Sequence, residues 1–186
     1  MRVGLVGAGF MGGVHLEAYA GIPEVEVVGV ADGRIEAAVA GAEIVGSRPY
    51  ASYEELVAAE DVEVVDICLP TAFHRDLAVR AAGEGRHVIL EKPIARTMQD
   101  SQEILDAFSA DGLHLFVGHV VRFFPEYVRI KEKIDAGDLG TIGVVRTSRR
   151  SPFLLGWNDW YADWRLSGGW CGPLRWSLGL RRRSSA

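Results

Sequence analysis

Apolar positions recur along the first 120 residues in two alternating forms: short continuous blocks, and longer stretches broken by polar residues at helical spacing. Val3–Val6, Val25–Ala31, Val62–Leu69, His87–Leu90 and Leu113–Val117 are of the first kind. Runs that are apolar at successive positions predict strands covered on both faces, as in a parallel sheet. Between them Val14–Ala20, Ile35–Ala40, Tyr53–Ala59, Ala72–Ala82 and Met98–Phe108 predict helices. A further short strand is expected at Glu43–Val45. Strand and helix alternating in this way predict an α/β fold, a doubly wound parallel sheet. Pro125–Ala136 predicts one more helix, ending at Gly137, and the β-branched stretch Ile142–Arg150 predicts the first strand of a second sheet. From Ser151 onward there is no clean period.

The first strand runs into Gly7-Ala8-Gly9-Phe10-Met11-Gly12, which fits G-x-G-x-x-G, and an acid, Asp32, stands 20 residues after Gly12 at the end of the second strand. Strand, glycine turn, helix and distal acid together form the dinucleotide-binding fingerprint of a Rossmann sheet. Gly7 permits the tight turn, Gly9 lets a pyrophosphate approach the backbone, and Gly12 lets helix and strand pack closely. The free N–H groups of the first helical turn then face the phosphates, with Phe10 and Met11 of the glycine turn counted among the cofactor-binding residues. Asp32 accepts hydrogen bonds from ribose hydroxyls and repels a 2′-phosphate, which favours NAD; Arg34 close by leaves NADP possible.

Composition narrows the partners. The 186 residues carry a net charge of −5, which argues against a nucleic-acid footprint. No apolar run approaches the roughly 18 residues that span a membrane. The N-terminal apolar stretch with Ala18-Tyr19-Ala20 superficially resembles a signal peptide, but its five glycines speak against secretion. Two cysteines, Cys68 and Cys171, make no disulfide framework, so a cytoplasmic protein is expected. No metal-ligand spacing stands out.

Later strands also end in chemistry. Leu69-Pro70-Thr71 follows one, Glu91-Lys92-Pro93 the next, and Gly118-His119 the one after. In a doubly wound sheet, ligands sit beyond these strand ends. Lys92 either polarises a substrate oxygen there or is a surface lysine in a turn. His119 is a base, a substrate contact or a structural residue, and Arg122 binds a polar substrate or pairs with Glu126.

GAGFMG, LPTAFH, EKP, GHVVRFFPEY and WYADWRLSGG occur here in the order seen in the Gfo/Idh/MocA oxidoreductases, which the chain resembles from residue 1 to about 169. RFFPEY looks closest to inositol dehydrogenase-like members. The resemblance implies a Rossmann domain over residues 1–120, then, over 121–169, the incomplete start of an α/β open-sheet domain used for substrate and oligomerisation. It implies hydride transfer between NAD(P) and a hydroxyl or carbonyl of a sugar or polyol. By similarity Lys92 touches substrate and nicotinamide, Pro70 and Thr71 line the nicotinamide pocket, and His74 and Glu91 belong to the cofactor site. His119 and Arg122 would lie at the edge of that crevice, with Lys92 and His119 as the catalytic candidates.

Past Gly169 the resemblance stops. The family's D-x-x-x-H segment does not follow, no histidine comes after His119, and residues 151–186 hold all five tryptophans and a net charge of +3. This break predicts a frame-shifted or truncated tail over 170–186. The alternatives are then an enzyme and a catalytically silent NAD-binding fragment, with homo-oligomerisation doubtful for either.

Overall fold

The computed structural model describes residues 1–109, 112–146, 148 and 160–168. Among them, six strands form one parallel sheet: β1 (Arg2–Val6), β2 (Glu26–Ala31), β3 (Arg48–Tyr50), β4 (Val64–Ile67), β5 (His87–Leu90) and β6 (Leu115–Val117). The spatial order is β3-β2-β1-β4-β5-β6. Strand order therefore reverses between β1 and β4, and their carboxyl ends splay the connecting loops apart to open a crevice. Val3 lies opposite Val64, and Val6 opposite Ile67.

The helices are α1 (Phe10–Tyr19), α2 (Ile35–Val45), α3 (Tyr53–Ala59), α4 (His74–Gly83), α5 (Met98–Ala107), α6 (Pro125–Asp135) and the short α7 (Trp164–Ser167). They cover both sheet faces, as the continuous apolar strands require. On one face Leu5 and Val30 are buried with Leu16 of α1 and Ala42 of α2. On the other, Val65, Ile67, Val88 and Leu90 pack with Leu56 of α3, Ala78 of α4 and Ile104 of α5. Side chains alternate along a strand. So while Val65 and Ile67 point into this second core, Asp66 between them is turned toward α1, and it is fully buried.

Two predicted elements differ from those observed. Glu43–Val45 is not a strand but the last turn of α2, which Gly46 ends in the left-handed region at φ 69°. The strand comes after that stop, where Arg48–Tyr50 pairs with Gly29–Ala31 at the sheet edge; Tyr50 faces β2, its carbonyl accepting the Asp32 N–H, so the missing N–H of Pro49 falls on the open side. Ile142–Arg146 form no strand, and positions 147, 149 and 150 of that expectation lie outside the described residues. The tail over 170–186 also lies outside them.

Candidate functional site

The glycine turn between β1 and α1 is built by close approach. Gly7 has φ 103°, and a Cβ there would meet the Cys68 backbone at 2.7 Å. A Cβ on Gly12 would stand 2.1 Å from the Gly7 carbonyl oxygen. Both positions are closed to any side chain, so α1 starts directly over the end of β1. A Cβ on Gly9 would meet nothing within 4 Å, leaving open space before the first turn of α1. That turn has no side-chain cap. Its N–H groups, from Phe10 and half-buried Met11 onward, are disposed for an anion.

Asp32 sits where β2 ends and reaches back to this turn. One carboxylate oxygen accepts from the Ala8 N–H at 2.9 Å and the other from the Arg34 N–H at 2.8 Å. The Arg34 Nε lies 3.5 Å from the same oxygen, so the guanidinium and the carboxylate form one recognition unit. Beside them a cleft of about 360 Å³ is lined by Val6, Ala31, Asp32, Ser52, Leu69 and Phe73. Open glycine turn, uncapped helix start, placed acid and apolar cleft together fit a dinucleotide.

Pro70 and buried Thr71 form the turn after β4. His74, at the start of α4, is buried and does not face the crevice: its ring nitrogens lie 2.8 Å from the Leu69 carbonyl and 2.9 Å from the Pro93 carbonyl. It fastens the β4 loop to the β5 loop, and burial pushes its pKa below 6.5. Lys92 is exposed at the end of β5 and precedes Pro93 through a cis peptide bond. Glu91, expected in the cofactor site by resemblance, turns inward. It is buried, with one oxygen accepting from the Lys92 N–H at 3.0 Å. His119 and Arg122 are exposed beyond β6, before and in the 3₁₀ turn Val120–Phe123 respectively. No ion pair joins Arg122 to Glu126 among the described residues.

Beneath the crevice lies a polar centre that sequence reasoning missed. His15 of α1 stands between Asp66 Oδ2 (2.8 Å) and Glu91 Oε1 (3.3 Å). Tyr19, one turn on, donates its hydroxyl to Asp66 at 2.7 Å, and Cys68 Sγ lies 3.4 Å from His15 Nδ1. Hydrogen bonds to Asp66, Cys68 and Glu91 hold the His15 pKa far above 6.5, outweighing its partial burial. Burial raises the Glu91 carboxyl, but the His15 contact and the Lys92 N–H bring it net below its ordinary range. Burial, aided by the Asp66 charge, pushes the Cys68 thiol up to about 12, so it is no nucleophile. A buried acid inside an apolar strand was the one sequence signal available.

The chain also returns to the site late. The Arg96 guanidinium donates to the Arg165 carbonyl, and Asp163 caps α7 by accepting from the Arg165 N–H at 2.8 Å. This brings half-buried Tyr161, stacked on Trp160 at 3.9 Å, within the influence of Glu91. Burial and the Glu91 charge raise its pKa.

Comparison with known proteins agrees with this geometry. Residues 1–119 match the model of an oxidoreductase family with an NAD-binding Rossmann fold. The 4-carboxy-2-hydroxymuconate-6-semialdehyde dehydrogenase of Sphingobium sp. is 34% identical over 140 residues, 75% of this chain and 44% of its own. Inositol 2-dehydrogenase of Rhizobium meliloti is 35% identical over 152 residues, 82% of this chain and 46% of its own. The chain thus spans less than half the length of these curated relatives. Among solved structures, the WlbA dehydrogenase of Bordetella pertussis, in complex with NADH and UDP-GlcNAcA, superposes with a TM-score of 0.71 at 30% identity, covering 75% of this chain and 44% of that one.

Proposed function

The chain belongs to the Gfo/Idh/MocA oxidoreductase family, and from that membership we propose that it serves NAD-dependent hydride transfer to or from a hydroxyl or carbonyl carbon of a sugar or inositol-like polyol. The observation that carries this reading is Lys92, exposed at the end of β5 and held by a buried carboxylate, on the same sheet edge as the glycine turn and Asp32.

The nicotinamide supplies the hydride acceptor or donor. The protein's own groups bind and orient. The α1 N-terminus with Gly7, Gly9 and Gly12 takes the pyrophosphate, and Asp32 takes the ribose hydroxyls. The Asp32 carboxylate favours NAD over NADP, while the Arg34 guanidinium beside it leaves NADP possible. Pro70 and Thr71 wall the crevice from the β4 side. Lys92 donates to the substrate oxygen and polarises the carbon–oxygen bond, lowering the barrier as a general acid–base partner does. His119 and Arg122 lie further out, disposed to hold the remaining hydroxyls. Residues 1–120 act as the cofactor-binding domain and 121–169 begin the substrate domain.

The test is NAD reduction across a panel of inositols, hexoses and anhydrosugars, followed by NADH absorbance. We expect Lys92→Ala to lower kcat by on the order of 10²–10⁴ while NADH binding survives. Turnover unchanged in Lys92→Ala would refute the role of this lysine. Tight NADH binding without turnover on any polyol would mark an NAD-binding unit that lacks catalysis.

A further inference from the structure

The polar centre under the crevice has no part in the binding scheme above, yet its geometry is specific. Asp66 is fully buried on β4. Its Oδ2 accepts from the Tyr19 hydroxyl at 2.7 Å and faces His15 Nδ1 at 2.8 Å; its Oδ1 accepts from the Cys68 thiol at 3.6 Å. With donors at both oxygens this group acts as acceptor only, which is the ionised carboxylate. On the far side of the same ring, Nε2 faces Glu91 Oε1 at 3.3 Å. Glu91 Oε2 receives the Lys92 N–H at 3.0 Å. A neutral imidazole has one N–H and would set a lone pair against one of the two carboxylates; only the imidazolium donates to both. Charge-assisted bonds of this kind are the strong ones in a low-dielectric setting.

We propose that His15 is a positioning residue: an imidazolium that ties Asp66 of β4 to Glu91 just past β5 and, through Glu91, fixes the backbone that presents Lys92 to the substrate. A Cβ on Gly118 would lie 3.1 Å from the Glu91 Oε1, so the backbone just past β6 approaches this carboxylate on a third side. The charged and titratable groups facing His15 among the described residues are Asp66 of β4, Cys68 just past β4, Glu91 just past β5 and Tyr19 of α1 itself; Tyr161, before α7, lies within reach of the Glu91 charge. Two carboxylates and one imidazolium leave one net negative charge beneath the crevice. Without the cation, Asp66 and Glu91 would repel across a buried space, and Glu91 would take up a proton or swing off the Lys92 amide.

The assignment rests on Lys92 facing the substrate, but its test needs neither cofactor nor polyol, so loss of turnover and loss of this contact are read separately. In the full chain, nitrogen-15 NMR of the histidine rings reads the charge directly. We expect both His15 ring nitrogens to be protonated throughout roughly pH 6 to pH 9, above the ordinary histidine range. A His15 that is neutral at the upper end of that range overturns the proposal. Amide hydrogen exchange reads the consequence. The Lys92 amide should exchange about tenfold faster in His15→Gln, and His15→Lys, which restores a cation without the ring, should recover most of the protection. Equal Lys92 protection in wild type and His15→Gln, or equal loss in His15→Gln and His15→Lys, contradicts a role for the charge.

Discussion

His15 shows how a single residue can be set by the fold alone. Its hydrogen-bond partners stand 51 and 76 positions away in the chain, and no local spacing joins them. The glycines and Asp32 were legible because their chemistry is confined to one strand–turn–helix unit with a fixed interval. Glu91 and His74 were placed at the cofactor site by resemblance, not by spacing. Their neighbourhood to a glycine-bounded crevice was clear, but whether each side chain turns out or in depends on strand parity and loop path. The His15 centre also leaves a thermodynamic mark. Its pKa is raised above 6.5 on folding, so its contribution is fully present below 6.5 and is lost as pH rises. Glu91, lowered from 4.5, stabilises above that value and is lost as pH falls through its folded value. His74, lowered from 6.5, likewise costs stability as pH falls. The difference in unfolding free energy between wild type and His15→Gln isolates the first of these. Urea unfolding should show that difference shrinking above pH 6.5 by up to about 1.4 kcal/mol per pH unit. A difference independent of pH across that range would mean that His15 is not charged by folding.

At the scale of elements, α1 is the least obvious and the most constrained. The sequence predicts its start at Val14, because Gly12 and Gly13 are poor helix formers. The structure begins it at Phe10. Tertiary contact overrides propensity here: only glycine at position 12 lets the helix rest on the Gly7 carbonyl. Gly12→Ala should therefore push α1 off β1 and cost about 1–3 kcal/mol, while also displacing the N–H groups that face the phosphates. Thermal unfolding together with NADH titration checks both effects; a variant with unchanged Tm and affinity would contradict the packing account. Where the period was strong, as in Tyr53–Ala59 and His87–Leu90, the predicted and observed elements coincide. Where a helix needed a left-handed stop, as at Gly46, the boundary and the following edge strand were displaced. The apolar side of α6 explains a further gap. Tyr127, Ile130 and Ile134, on one side of this helix, remain exposed, and Phe116 on β6 is 61% exposed, so the described residues leave these apolar positions uncovered.

The whole molecule is organised by the reversal of strand order between β1 and β4, which gathers residues from six loops along one edge of the sheet. That convergence was legible as a class, since alternating strands and helices allow few topologies. Which late segment closes the edge was not: Tyr161 and α7 reach it across about 70 residues, through the bond from Arg96 to the Arg165 carbonyl. Among the described residues no helix is long and apolar enough to cross a membrane. We propose that the glycine turn and Asp32 form a working NAD site within this chain. Equilibrium titration with NADH and NADPH, by fluorescence, tests it most directly. We expect saturable NADH binding, at least about tenfold weaker NADPH binding, and a loss of NADH affinity on the order of 10- to 100-fold in Asp32→Ala, from charge-assisted bonds worth about 1.5–3 kcal/mol each. Absence of NADH binding, or an affinity untouched by Asp32→Ala, would contradict it.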